Sequence, residues 1–393
     1  MKTPGDQSAA GVSPASDVAR ASSPWTAKPP DRRGTGIPAR ERCLSAPTRH
    51  RHPLLFLTLF HLTLALALAS PPSPLRAAPA GAPYELTIAT WNIRNYNAID
   101  RRIDGEFRPG YPKPESEKTA LRAVIRALDA DVLALQEIGG APYLEELRRD
   151  LAGEGCDYPY RHVLATATDK ARCVAVLSRL PLRDIREHTD MTFAYRGGRM
   201  DVARGLLEAT LDIPARGSPA TAAPAAPSPA PTTPVPLTLF ILHLKSRLTT
   251  YNDDPSSATW RAREADVIRN RILRRFPTPS APDARFLIAG DFNDLIDSRP
   301  VRALLRRGST PISAPLRAAD RQGLTWTHFY ARGETWSRVD NLLASPALLP
   351  HAVRAWIVDS PEVLRASDHR PVAATFRFPS AGPQTPATAS PEK

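Results

Sequence analysis

Four short hydrophobic runs in this chain each stop at a polar motif. Leu86–Thr90 leads into Trp91-Asn92-Ile93, Val132–Leu135 into Gln136-Glu137, Leu237–Leu242 into His243-Leu244-Lys245-Ser246, and Phe286–Ala289 into Gly290-Asp291-Phe292-Asn293. Apolar runs of this length, bounded by polar residues, read as β-strands. A strand that ends in Asn, Glu, His or Asp sets a polar group at the rim of a sheet. Several such ends at one rim make a pocket of carboxylate, amide and imidazole, the groups that bind a hard divalent cation and hydrolyse a phosphate ester. Two further polar motifs follow, Ser337-Arg338-Val339-Asp340 and Ser367-Asp368-His369.

The stretches between the runs set the architecture. Residues 97–114 read as a polar loop carrying Arg101, Arg102 and Lys113. Leu121, Val124, Ile125 and Leu128 recur at helical spacing. A second helix is expected over about 142–152, a β-hairpin over 159–165 and 172–178, and neighbouring strands at 204–213 and 237–244. Helix 260–275 should turn Ala265, Ile268, Ile272 and Leu273 inward, with Arg261, Arg263, Arg269, Arg271 and Arg274 outward. A helix over 298–307 and strands near 338–343, 353–358 and 371–377 complete the pattern. Interleaved strands and helices with hairpins between them predict an α+β fold with mixed sheets.

Proline marks what lies outside that core. The 42 prolines are about twice the average usage of ~5%, and they cluster before residue 80, in 214–236 and after 378. Residues 81–379 are therefore expected to form one domain, interrupted by a Pro/Ala-rich insertion at 214–236 and followed by a tail at 380–393. Residues 1–80 read as a leader. Its apolar run Leu54–Ala69, preceded by Arg42, Arg49 and Arg51, is short for a membrane span and ends in Ala67-Leu68-Ala69, a small-x-small cleavage pattern. That implies a signal peptide and a secreted or periplasmic protein; an uncleaved N-terminal anchor is the other reading. Beyond the leader only Cys156 and Cys173 remain, and their places in the expected hairpin favour two unpaired thiols over a disulfide. The chain carries a net charge of +12, which favours polyanionic partners such as nucleic acid or anionic lipid.

With its motifs in this order, the region Leu86–Phe378 resembles the endonuclease/exonuclease/phosphatase superfamily, the deoxyribonuclease I-like hydrolases. The resemblance implies a four-layer α/β/β/α sandwich of two mixed sheets with outer helices and an active site at one rim. It implies Glu137 as the main Mg²⁺ ligand, with Mn²⁺ or Ca²⁺ as alternatives; Asn92 as an oxygen ligand or hydrogen-bond partner of Glu137; and Asp368 near the metal. It pairs His369 with Asp340, and matches His243 to the first histidine of the deoxyribonuclease-like members. Asp291 is a general base or second metal ligand, Asn293 a donor to a phosphate oxygen, and Lys245 a phosphate contact. Arg204, on a looser match, is another phosphate contact. The stretch Asp169–Arg172 lacks the acid–aromatic pair that some nucleases carry there.

A metal-dependent phosphodiesterase acting on DNA or RNA is the leading expectation. A phospholipase of the sphingomyelinase type, or a phosphatase for a small phosphoester or phosphoinositide, keeps the chemistry and changes the substrate. A lipid enzyme would favour an exposed aromatic hairpin, and none is evident in the sequence. A catalytically dead binding domain is disfavoured by the full set of candidate residues. No obligate protein partner is expected, and a monomer is the family default.

Overall fold

A computed structural model describes residues 83–214, 234–249 and 251–379. The leader, most of the Pro/Ala-rich insertion and the tail lie outside these residues, so the expectations that fall on them have no structural counterpart.

Two six-stranded mixed sheets pack face to face. In the first, β1 (Tyr84–Tyr96) is central. It runs parallel to β2 (Val132–Ile138), with β4 (Cys173–Ser178) and β3 (Tyr160–Leu164) beyond, and antiparallel to β12 (Val372–Phe378), with β11 (Ala352–Ile357) at the edge. In the second, β7 (Val235–His243) and β8 (Phe286–Asp291) are parallel neighbours. β6 (Leu206–Ile213) and β5 (Leu182–His188) extend this sheet on the β7 side, and β10 (Asp340–Ala344) and β9 (Ala314–Pro315) on the β8 side.

The apolar runs are unbroken because both faces of the central strands are buried. Leu86 and Ile88 of β1 meet Leu239, Ile241 and Leu287 of the other sheet in the inter-sheet core. Ala89, Trp91 and Leu135 face outward onto α1 (Glu115–Leu128) and α2 (Ala141–Gly153), which present Leu121, Val124, Ile125, Leu144 and Leu147. Phe240, Leu242 and Ile288 face α3 (Ala258–Arg275) and α4 (Arg299–Leu305) through Ile268, Ile272 and Val301. A short α5 (Pro361–Ala366) joins the first helical layer through Val363. This is the α/β/β/α sandwich that the motif order implies.

Several local expectations change. Residues 97–114 are not a loop: Ile99–Ile103 and Glu106–Tyr111 pair as an antiparallel hairpin. Two strands, Thr192–Tyr195 and Gly198–Asp201, form a hairpin between β5 and β6 that hydrophobic periodicity does not announce. Arg261 does not face out. It is 1% exposed, its guanidinium donates to Asp294 Oδ2 at 2.9 and 3.0 Å, and it also donates to the Ser256 carbonyl. A buried Arg is tolerable only with such partners, and Asp294 is too distant in sequence for helical spacing to reveal it. Strand β7 begins at Val235, where Val235 pairs with Ile213, so the insertion is narrower than its Pro-rich composition suggests. Cys156 and Cys173 are both buried and free.

Candidate functional site

Strand register assembles one row of the site. In the parallel pair β7–β8, His243 stands opposite Asp291; in the antiparallel pair β8–β10, Asp291 stands opposite Asp340. Three polar residues therefore lie side by side where the strands end. Gly290 makes that approach possible: a Cβ there would lie 2.0 Å from the Leu242 carbonyl oxygen of the neighbouring strand.

The first sheet supplies the rest. Asn92 is almost fully buried, and its amide nitrogen donates to Glu137 Oε1 at 3.2 Å and to Asp291 Oδ2 at 3.1 Å. One side chain thus ties the two sheets together through two carboxylates. Glu137 leaves its strand at a register shift, adopting φ 66° between Gln136 and Ile138, and so turns out of the ladder into the cavity. Its second oxygen accepts the Asn95 backbone N–H at 2.9 Å. Arg94, Asn95, Glu137 and Asn293 all take positive φ and all line the same cavity. Strained non-glycine backbone of this kind concentrates at functional sites.

His369 arrives just before β12 and is fixed from several sides. The Trp91 indole donates to its carbonyl at 2.9 Å, its backbone N–H donates to Ser367 Oγ at 3.0 Å, and Ser367 Oγ in turn donates to the Asn92 carbonyl at 2.8 Å. Its Nδ1 lies 2.9 Å from Asp340 Oδ2, and its Nε2 lies 3.9 Å from Asp291 Oδ2. His243 Nε2 stands 3.5 Å from the same Asp291 oxygen. Both histidines and both aspartates therefore meet around one point.

The electrostatics separate these groups. Burial opposes a charged His369, but the carboxylates of Asp340, Asp291 and Asp368 outweigh it and push His369 up to about 10. Burial and the neighbouring Asp340 push Asp291 up to about 7, against the hydrogen bonds from Asn293 and Asn92 and the charge of His369. His243 goes the other way: burial, then Arg204 and His369, hold it well below the ordinary imidazole value. One histidine is thus held as a cation and the other as a neutral ring.

The remaining expected residues line the same cavity of about 970 Å³. Asp368 sits at its edge, 3.6 Å from Arg94 Nε. Asn293 accepts no strand pairing; its amide donates to the Leu244 carbonyl at 2.9 Å and its backbone N–H to Asp291 Oδ1 at 2.8 Å. The Lys245 ammonium is turned toward Ser246 and the Leu248 carbonyl, and burial and the nearby Arg204 lower its pKa. Arg204 is nearly buried and already paired, donating to Asp169 Oδ2 at 2.9 Å and to the Leu244 carbonyl at 3.4 Å.

Sequence reasoning missed several neighbours. His328 lies on a short hairpin, its ring centroid 4.4 Å from that of His369. Thr327 Oγ1 accepts the backbone N–H groups of Val339 and Asp340 at 3.0 and 3.1 Å, setting the start of β10. Arg94 and Arg247 add cations to the rim. No hydrophobic run precedes Thr327 or His328, so no signal marked them, whereas Arg94 and Arg247 directly follow the first and third motifs, an adjacency that could have marked them.

The donor set fits a divalent cation. Glu137 turns its carboxylate into the cavity with the Asn92 amide nitrogen hydrogen-bonded to it, and Asp340 Oδ1 and His243 Nδ1 are buried with no hydrogen-bond partner among the described residues. Ligand atoms of Asp291, Asp340 and His369 also lie within 4.8 Å of one another. A model of the Endonuclease/Exonuclease/phosphatase family matches residues 89–369. The chain belongs to this family. The family's members are divalent-metal-dependent hydrolases, nucleases and phosphatases among them.

The chain is similar to several solved structures. An endonuclease/exonuclease/phosphatase from Bacteroides vulgatus is similar at a TM-score of 0.50 and 14% identity, over 75% of this chain and 99% of that one. A family protein from Leptotrichia buccalis gives 0.48 and 16%, over 75% and 100%. The human Nocturnin catalytic domain with bound sulfate anion gives 0.47 and 13%, over 75% and 94%. At 14% identity the likeness to the Bacteroides vulgatus structure is one of fold alone. No curated protein compared with the chain matches it.

Proposed function

We propose that this protein is an exported, divalent-metal-dependent phosphodiesterase that cleaves nucleic acid. The observation that carries the reading is the meeting of His243, Asp291, Asp340 and His369 around one point, in a cavity whose rim holds Arg94, Arg172, Lys245 and Arg247. A polyanion fits that rim, and the carboxylates at the floor suit the cation that phosphoryl transfer needs.

Glu137, with Asp368 at the edge, would hold the ion, and Asn92 serves as the hydrogen-bond partner that orients the Glu137 carboxylate. We place it there rather than among Asp291, Asp340 and His369 because Asp340 is already committed to His369 through a 2.9 Å hydrogen bond. When bound, the ion supplies positive charge against the phosphoryl oxygens. The protein's own groups do the rest. Asp340 fixes the angle of His369 by accepting a hydrogen bond from Nδ1–H, which turns Nε2–H toward the cavity. Held as a cation, His369 stabilises charge developing on the phosphoryl oxygens. Asp291, raised to about 7, is matched to accept the proton of an attacking water near neutral pH. Neutral His243 and the Asn293 amide are placed to donate to non-bridging oxygens. Arg204 acts indirectly, bracing Asp169 and the Leu244 carbonyl.

One observation favours a lipid substrate. The hairpin beside His369 carries Trp336, 57% exposed and stacked on Phe329, an aromatic feature the sequence alone did not reveal. The reading as a nuclease is retained because that pair sits on the hairpin's outer face, whereas the cavity face carries His328, Tyr330, Thr335 and Ser337 and shares the cavity with the cations of the rim.

The test is plasmid DNA and a long RNA incubated with the purified chain and Mg²⁺, beside an EDTA control and His369→Ala. Metal-dependent cleavage that the variant loses by about 10²–10⁴-fold is expected. A folded protein that leaves both polymers intact sinks the nucleic-acid reading.

A further inference from the structure

The hairpin next to the site is formed by His328–Tyr330 and Thr335–Ser337, with His328 opposite Ser337, Phe329 opposite Trp336 and Tyr330 opposite Thr335. Successive residues of a strand alternate faces. His328, Tyr330, Thr335 and Ser337 all line the cavity, while the Phe329–Trp336 pair stacks on the other face. The ribbon therefore gives the cavity one wall with two rings and two hydroxyls.

That wall is tied directly to the catalytic motif. The Phe329 N–H donates to the Asp368 carbonyl at 2.9 Å, and His328 bridges His369. Tyr330 is 49% exposed but not loose: a Cβ at Gly333 would lie 3.0 Å from its ring, so the ring rests on the glycine backbone of the turn. An exposed ring held in place is a ready stacking surface. Arg172, Lys245 and Arg247 line the same cavity and suit phosphates. With a volume of about 970 Å³, the cavity is larger than one phosphate group requires.

We propose that Tyr330, flanked by His328, is a stacking subsite for an unpaired nucleobase next to the scissile phosphate, so that the protein prefers single-stranded or frayed nucleic acid to intact duplex. This rests on the nuclease reading above. A base inside a duplex is already stacked and would have to be extruded to reach Tyr330, whereas a single strand offers its bases freely. Stacking on an aromatic ring does not require a particular base, so the preference is for strandedness and not for sequence.

The experiment compares one short oligonucleotide, single-stranded and in blunt duplex, with bis(p-nitrophenyl) phosphate, a diester without a base. Wild type, Tyr330→Ala and Tyr330→Phe are measured with Mg²⁺. The single strand should be cut faster than the duplex. Tyr330→Ala should raise KM for the single strand about tenfold with a smaller change in kcat, and Tyr330→Phe should restore it. A KM for Tyr330→Ala within about twofold of wild type, with the oligonucleotide still cut, overturns the subsite and leaves the nuclease reading standing. Hydrolysis of the small diester with no oligonucleotide cleavage by wild type overturns the nuclease reading, and the subsite with it. Should sphingomyelin-containing vesicles also shift the tryptophan fluorescence of wild type, and not of Trp336→Phe, the hairpin is a lipid-facing element instead.

Discussion

His369 shows how single residues are set by their neighbours. An isolated buried imidazole would be neutral; here three carboxylates reverse that and raise it from 6.5 to about 10. A group raised above its unfolded value adds stability that is full below pH 6.5 and is lost as pH climbs through about 10. The melting temperature of the metal-free protein should therefore fall across that window, and His369→Gln should flatten part of the fall. If wild type and variant show the same slope, the ion cluster contributes nothing to folding. Asp291 could be named from its motif, because a polar residue at the end of an apolar run is conspicuous, and Asp340 from the family order of its motif. His328 could not, since its contact with the site depends on how a hairpin folds over it.

At the scale of elements, the strands and helices were largely readable. The spacing of Leu121, Val124 and Ile125 gives the buried face of α1, and continuous apolar runs give β1, β2, β7 and β8. The hairpin over Ile99–Tyr111 was not readable because it has no buried face: most of its residues are exposed or half-exposed, so no hydrophobic alternation marks it. Arg261 was misplaced for the converse reason, since an ion pair to a distant Asp294 overrides its polar character. The β6–β7 connection yields a further expectation. Ile213 pairs with Val235, so the strand ends are adjacent, and replacing residues 215–233 by a short turn should leave activity unchanged. Shortening the loop should stabilise by roughly 1 kcal/mol, since each halving of length is worth about 0.6 kcal/mol. A marked drop in melting temperature on shortening would show that the segment packs on the domain.

For the molecule as a whole, the site lies where the two sheets meet. Asn92 and Glu137 come from one sheet, Asp291, Asp340 and His243 from the other, and the Asn92–Asp291 hydrogen bond crosses between them. A cation held at this junction binds the folded state only, so it should stabilise the domain by about 2.7 kcal/mol at a hundredfold excess over Kd. Adding Mg²⁺ should accordingly raise the melting temperature by several degrees, and Glu137→Gln should lose most of that rise. An equal rise in the variant would move the ion away from Glu137.

The sequence by itself pointed to most of the residues that line the cavity and gave the order in which their strands come. Strand ends are local: an apolar run and the polar residue that stops it lie within a few positions. It also determined the family, through the order of those ends. Tertiary structure alone decided the rest. Register set His243, Asp291 and Asp340 in one row, a bulge turned Glu137 inward, and sheet packing brought Asn92 within 3.1 Å of Asp291. The division of the two histidines into a cation and a neutral ring followed from the same packing, because pKa depends on burial and nearby charge, and neither is a property of neighbours in the chain.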